Sequence, residues 1–298
     1  MPVRKPYDIV VAGDANVDLL LKDVPPLEAG KEKLAAGADL TLGGSSSITA
    51  LVLSKLGVRV TFAGVVGDDL LGKFVEKRLR AARIGTEALR RLREARTGIT
   101  VWHSQGADRA GITWPGSVET FSESHVPESI LARVRHLHVG AYFLLKGFHE
   151  GASTLFRKAR RLGLSTSLDC NYDPSERWDS GIREVLKETD IFLPNEDEAR
   201  LLCRGISVRE AAAELARLAK IVVVKRGQRG VLVVSAGQTI DVPAVEVRVV
   251  ETTGAGDSFN AGFLARHVRG ATLEECARAG VEAGARAVSR GGGVAAFS

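Results

Sequence analysis

The stretch Glu251-Thr-Thr-Gly-Ala-Gly-Asp-Ser-Phe-Asn-Ala-Gly-Phe263 is where the chain states most of its chemistry. Gly254 and Gly256 free the backbone from Cβ crowding, so the N–H groups of Ala255, Gly256 and Asp257 can turn toward one point. The apolar spacing that follows predicts a helix over 257–268, and its positive end points the same way. Such a turn attracts a phosphate or another anion. Asp257 at its mouth reads in two ways. It can cap the helix N-terminus. Beside a hydroxyl, it can take the proton as that oxygen attacks phosphorus.

Upstream of this turn, short β-rich apolar runs recur at 7–12, 58–66, 137–139, 165–168, 191–193, 221–224 and 231–234. Helical patterns lie among them at 46–56, 70–82, 153–162 and 208–218, and another follows at 273–289. Strand and helix in alternation predict an α/β fold with a mostly parallel sheet covered on both faces. Lys31–Leu42 and Thr97–Thr120 break the rhythm with strand-like segments and no helix between them. They predict a small antiparallel appendage, placed over the pocket as a lid because the first runs into Gly43-Gly44. A chain of 298 residues with no internal repeat is expected to form a single domain over 1–298.

Composition sets the outer limits. With 45% hydrophobic and 26% charged residues, disorder and coiled coil are excluded. The net charge of +5 is too diffuse for a duplex-DNA stripe, so no nucleic-acid partner is expected. Cys170, Cys203 and Cys276 show neither C-x-x-C nor metal-ligand spacing, which points to a reducing compartment. No run of about 18 apolar residues occurs, so the expectation is a cytoplasmic protein without a membrane segment.

Asp14, Asn16 and Asp18 alternate after the first apolar run and are expected on one face at the carboxyl end of the first strand, where α/β sheets bind ligands. Three polar side chains there need hydrogen-bond partners, which a polyol supplies; a plain loop start is the other reading. Gly43 and Gly44 would let backbone approach a ligand closely, or simply turn the chain before a helix. Gly67–Phe74 approaches a P-loop, but Phe74 replaces the magnesium-binding hydroxyl and Asp68 and Asp69 would repel phosphate. His136-x-His138 lacks a third ligand for catalytic zinc, so structural histidines are expected.

Taken in order, these segments resemble the ribokinase-like, or PfkB, family of carbohydrate and nucleoside kinases. TTGAGDSFNAGF at 252–263 is similar to its C-terminal signature. GDANVD at 13–18, LGG at 42–44, GVVGDDLLG at 64–72, LDCN at 168–171, PNEDE at 194–198 and KRGQRG at 225–230 follow the family's order. The resemblance implies a three-layer α/β/α domain with a mostly parallel central sheet and a small β-sheet lid, ATP as donor, and Asp257 as catalytic base over an anion hole at Gly254, Ala255 and Gly256. It places Asn16 and Asp18 at sugar hydroxyls, with Asp14, Gly43, Gly44 and Asn171 beside them. It gives Asn195 and Glu198 to phosphate and the water shell of Mg²⁺, an ion that prefers oxygen ligands. An acidic first helical turn is the other reading of that pair. Lys225 and Gly227 fall at a nucleotide-contacting turn. Glu251 stands at a position that potassium-activated members use around a monovalent-cation site, where the usual residue is Asp.

The expected activity is ATP-dependent phosphoryl transfer to a hydroxyl of a small neutral sugar or polyol. A nucleoside is the alternative acceptor, with Trp102, Trp114 or Phe121 as a slot for its base. A non-catalytic sugar- or nucleotide-sensing protein on the same fold is the reading from another class, and retention of Asp257 argues against it. Ser45 and Ile48 replace the Lys and Asn of the ribokinase GGKGAN, which argues against ribose. Asp173 replaces the Arg that many sugar-acid kinases carry, which argues against a sugar acid. Pairing of two copies through the lid is the expected assembly.

Overall fold

The computed structural model describes residues 5–105, 108–290 and 296–297. Its strands are β1 (Ile9–Ala12), β2 (Asn16–Lys22), β3 (Gly37–Gly43), β4 (Val60–Gly67), β5 (Gly85–Leu92), β6 (Ile99–Gln105), β7 (Asp108–Trp114), β8 (His136–Val139), β9 (Ser165–Leu168), β10 (Ile191–Phe192), β11 (Ile221–Lys225), β12 (Val231–Ser235) and β13 (Gln238–Val242). The α-helices are α1 (Ser45–Lys55), α2 (Leu70–Ala81), α3 (Glu128–Leu131), α4 (Ala152–Arg161), α5 (Ile182–Leu186), α6 (Glu196–Leu202), α7 (Val208–Leu215), α8 (Ala255–His267) and α9 (Leu273–Ser289).

Nine strands form the main sheet in the order β13-β12-β11-β10-β9-β8-β1-β4-β5. From β11 to β5 every neighbouring pair is parallel, and β12 and β13 add antiparallel strands at one edge. Ile9, Val10, Val11 and Ala12 are all fully buried, as a strand covered on both faces requires. Val10 and Ala12 join one core with Leu155 and Phe156 of α4 and Leu215 of α7. Ile9 and Val11 join the other, with Leu53 of α1, Phe263 of α8 and Val281 of α9. The main sheet is therefore the middle of three layers. Among the described residues no helix is long and apolar enough to cross a membrane.

The second sheet has the order β3-β2-β6-β7. It differs from the sequence expectation in three respects. It is not wholly antiparallel, because β2 runs parallel to β6 between the antiparallel pairs β2–β3 and β6–β7. Its first strand is β2, so Asn16 and Asp18 open the smaller sheet and do not end β1. The break comes at Gly13, whose φ of 140° is strained for any other residue and whose Cβ would stand 2.8 Å from the Gly140 carbonyl oxygen. Third, the appendage stops at Trp114. Pro115 and Gly116, with φ 52°, end the strand, and Gly116–Thr120 is a 3₁₀ turn tied to the main sheet by Ser117 Oγ donating to Val65 O at 3.1 Å. Lys31–Ala36 lies outside the strands as well. Residues 106 and 107 of the expected lid lie outside the described residues.

Candidate active site

A cavity of about 450 Å³ lies between the second sheet and the N-termini of α1 and α8. Asp14, Asn16, Asp18, Gly44, Asn171, Gly254 and Asp257 all line it, although their positions span more than 240 residues of sequence. The polar wall comes from β2 and its neighbours. Asn16 Nδ2 donates to Thr100 Oγ1 at 3.0 Å, and Trp102 Nε1 donates to Asp18 Oδ2 at 3.3 Å. Asn16 Oδ1 is buried and has no hydrogen-bond partner, which is costly for a buried polar atom.

Gly43 and Gly44 serve this wall in a way the sequence reading did not foresee. A Cβ on Gly43 would collide with the carboxylate of Asp18, and one on Gly44 would stand 2.7 Å from Asn16 Oδ1. The two glycines make room for the protein's own side chains, and Gly43 does so from outside the cavity lining. Asp14 is buried, and both of its carboxylate oxygens are taken: Oδ2 accepts from Ser45 N at 2.9 Å and Oδ1 from Ser46 N at 2.8 Å. Asp14 fixes the start of α1 as well as facing the cavity.

Asp257 sits in the first turn of α8, after Gly254 in the left-handed conformation. Ser45 Oγ donates to its Oδ1 at 2.5 Å. Burial pushes the Asp257 carboxyl up to about 7, with Asp169 and Asp14 acting in the same direction and Ser45 and Lys225 against it. A carboxyl with a pKa near the working pH suits a general base.

The helix end beside it has no side-chain cap. Ala255 N donates to Thr252 O at 3.2 Å, so that amide is engaged inside the turn. The expected convergence of three N–H groups reduces to the first-turn amides of Gly256 and Asp257, which have no partner within the helix. A Cβ on Gly256 would stand 3.7 Å from Lys225 Nζ. Lys225 thus faces the turn, but its Nζ donates to Asp169 Oδ2 at 2.7 Å and to Asn260 Oδ1 at 3.3 Å. Asp169 is a site residue that sequence reasoning quoted in LDCN without a role. Asn260, quoted within the 252–263 stretch without a role, also donates to Asp169. Burial works against the charge on Asp169, yet Lys225 and the hydrogen bonds from Asn260 and Asn171 hold its carboxyl below the ordinary carboxylate range.

Asn195 and Glu198 form a reciprocal helix cap. Glu198 N donates to Asn195 Oδ1 at 2.8 Å, and Asn195 N and Nδ2 donate to the Glu198 carboxylate at 2.8 and 2.7 Å. Burial, with Asp169 adding to it, pushes the Glu198 carboxyl up. Donor atoms of Asp169, Cys170 and Glu198 lie within 4.8 Å of one another. Cys170 is a neutral buried thiol and Asp169 is paired with Lys225, which leaves the Glu198 carboxylate, held by Asn195, as the oxygen ligand of the kind Mg²⁺ prefers.

Other expectations fall away from the cavity. Gly227 is an exposed turn residue with φ 56° and open space around its Cα. The Glu251 carboxylate accepts from Thr253 Oγ1 and does not line the cavity. Of the three aromatics considered for a base slot, Trp102 lines the cavity, Trp114 is exposed elsewhere, and Phe121 is core, packed against Phe148. Asp173 is buried and holds its own turn, accepting from Ser175 N at 2.8 Å and Trp178 N at 2.7 Å, so it does not face an acceptor. Thr100 and Thr113 line the cavity unannounced, their hydroxyls 3.0 Å apart. The signal for Thr100 was its period-two spacing from Trp102.

Comparison with known proteins bears on the whole chain. Residues 7–297 match the pfkB family carbohydrate kinases. An uncharacterized sugar kinase of Archaeoglobus fulgidus is 29% identical over 242 residues, covering 80% of this chain and 95% of that protein. Cytidine kinase of Thermococcus kodakarensis is 28% identical over 288 residues, covering 92% and 94%. A protein assigned as ribokinase II of E. coli, solved with ATP and Mg²⁺, superposes with a TM-score of 0.84 at 25% identity, over 98% of this chain and 96% of that one. Because the family match runs from residue 7 to residue 297, the chain belongs to the pfkB family carbohydrate kinases and is an ATP-dependent carbohydrate kinase.

Proposed function

We propose that this kinase phosphorylates a hydroxyl of a small neutral sugar or polyol, with Asp257 taking the hydroxyl proton. The observation that carries the reading is that Asp257 faces the same cavity as Asn16 and Asp18, while Asn16 Oδ1 is a buried acceptor without a donor. A polyol hydroxyl is such a donor. The cavity of about 450 Å³ is of the size that holds small molecules.

ATP would supply the phosphoryl group, and Mg²⁺ when bound would neutralise phosphate charge. Glu198 would hold the ion, and Asn195 keeps the Glu198 carboxylate in place. The amides of Gly256 and Asp257 and the α8 dipole stabilise charge on the transferred group, with Lys225 beside them. Closure of the smaller sheet over the acceptor excludes water, which would otherwise compete as acceptor.

Neutral acceptors are favoured because Asp18 and Asp257 both line the cavity, where a substrate carboxylate would meet like charge in poorly solvated surroundings. A nucleoside is the second reading. Trp102, Ile48, Val118 and Leu144 give the cavity an apolar side on which a base could lie, and cytidine is the named substrate class of one relative. Potassium at Glu251 and pairing of two copies through the smaller sheet, where Leu40, Ile112 and Trp114 are exposed, complete the proposal. Rates in K⁺ against Na⁺ and a light-scattering mass test these two.

An ADP-release assay over sugars, polyols, sugar acids and nucleosides tests the acceptor. A neutral sugar or polyol with the highest kcat/KM supports the first reading, and a nucleoside in that place supports the second. A sugar acid there overturns both.

A further inference from the structure

Ser45 enters the sequence only as a departure from the ribokinase pattern that argues against ribose, with no positive role assigned to it. In the fold it touches the base. We propose that Ser45 is a positioning residue for Asp257: its hydroxyl, held in place through Asp14, fixes the base carboxylate in the orientation that receives the acceptor's proton. The proposal rests on Asp257 being the base.

The geometry is a short relay. The N-cap of α1 is Gly44, which has no side chain to satisfy the first helical amides. Asp14, from the loop after β1, takes that part, accepting from Ser45 N at 2.9 Å and Ser46 N at 2.8 Å. This pins the first turn of α1 to the end of a central strand. From there Ser45 Oγ reaches Asp257 Oδ1 at 2.5 Å. One turn further along α1, Thr49 Oγ1 donates to the main-chain oxygen of Asp257 at 3.4 Å. Residues 45 and 49 share a helix face, so that single face of α1 holds both the carboxylate and the backbone of the base.

A hydroxyl that donates to a carboxylate favours the charged form. The charged groups around Asp257 otherwise divide. Asp14 after β1 and Asp169 after β9 disfavour its ionisation, as burial does, and Lys225 at the end of β11 favours it. Asp18 of β2 lines the same cavity. Ser45 is the hydroxyl set against that opposition. It also commits Oδ1, which leaves Oδ2 to face the acceptor. As the acceptor oxygen bonds to phosphorus and the bond to the ADP oxygen breaks, the hydroxyl proton passes to Oδ2. Ser45 keeps its own proton throughout, and Asp257 releases the gained one to water after the product leaves.

The test compares pH profiles of kcat/KM for the wild-type enzyme, Ser45→Ala and Ser45→Thr, with Asp257→Asn as reference and thermal melting to confirm folding. Ser45→Ala is expected to move the acid limb upward by about one pH unit, which is about a tenfold loss of kcat/KM on that limb. Its ATP KM should stay near the wild-type value. Ser45→Thr, which restores a hydroxyl, is expected to return the limb toward the wild-type position. A Ser45→Ala profile that coincides with wild type, or a Ser45→Thr profile displaced as far as that of Ser45→Ala, overturns the proposal. Asp257→Asn separates the two levels: if it is inactive while Ser45→Ala is unshifted, Ser45 alone is misassigned. If Asp257→Asn keeps its rate, the base itself is misassigned.

Discussion

Lys225 and Asp169 form an ion pair inside the protein, with Nζ 2.7 Å from Oδ2 and side chains only 13% and 2% exposed. Lys225 ends β11 and Asp169 follows β9, and their meeting places a paired ammonium and carboxylate beside the first turn of α8. Removing one partner leaves the other charged and buried. Lys225→Met should therefore destabilise the fold by about 3–5 kcal/mol. The double variant Lys225→Met with Asp169→Asn should recover part of that loss. Urea unfolding of the three variants against wild type checks this, and additive losses would mean that the pair is not coupled.

Glu198 is tied to Asn195 and not to the acceptor cavity, so its contribution should appear through magnesium. Glu198→Gln is expected to raise the Mg²⁺ concentration for half-maximal rate several-fold while acceptor KM changes little. A titration of rate against Mg²⁺ at saturating acceptor, repeated for acceptor at saturating Mg²⁺, distinguishes the two effects.

Asp18 accepts from Trp102 and stands in the cavity wall, so its loss should be felt by the acceptor alone. Asp18→Ala is expected to lower kcat/KM for the best acceptor by about 10-fold or more, with ATP KM unchanged. Deoxy analogues lacking the contacted hydroxyl should lose comparable efficiency on the wild-type enzyme and little more on the variant. Equal losses on ATP and acceptor would place Asp18 in the fold and not in recognition.

His136 and His138 are buried side by side on β8, linked by Ser167 Oγ at 2.7 and 2.8 Å. Burial pushes the His138 imidazole down from an ordinary 6.5 to about 4. The unfolded chain therefore binds a proton that the folded one refuses, and stability present above about pH 6.5 is lost as pH falls toward 4. Asp257 acts in the opposite sense, because its folded form holds a proton that the unfolded chain releases. The histidine share is read as a difference. Between pH 7 and pH 5, His138→Gln should lose about 2 kcal/mol less unfolding free energy than wild type, measured in urea.

Much of this fold was legible in the sequence, since buried parallel strands and amphipathic helices carry local signatures. The alternation of Asp14, Asn16 and Asp18 was equally visible, but not the sheet it belongs to. Asp14, Asn16 and Asp18 read as the carboxyl end of the first strand, and only the backbone at Gly13, closed against Gly140, sends Asn16 and Asp18 into the second sheet. The glycine pair at 43–44 was legible as a close approach, though what approaches is Asp18 and Asn16. Asp173 carried a charge argument that its own turn cancels. Asp169 stayed unassigned because its partner Lys225 is 56 residues away and no local spacing relates them. Ser45 was visible only as a departure, because its partner Asp257 lies 212 residues on.

The central claim is that Asp257 takes the acceptor's proton, and the measurement that tests it most directly is kcat of purified Asp257→Asn at saturating ATP, Mg²⁺ and acceptor. The account predicts a fall of about 10²-fold or more, with melting temperature and ATP KM close to wild type. A kcat within a few-fold of wild type in a folded variant would contradict it.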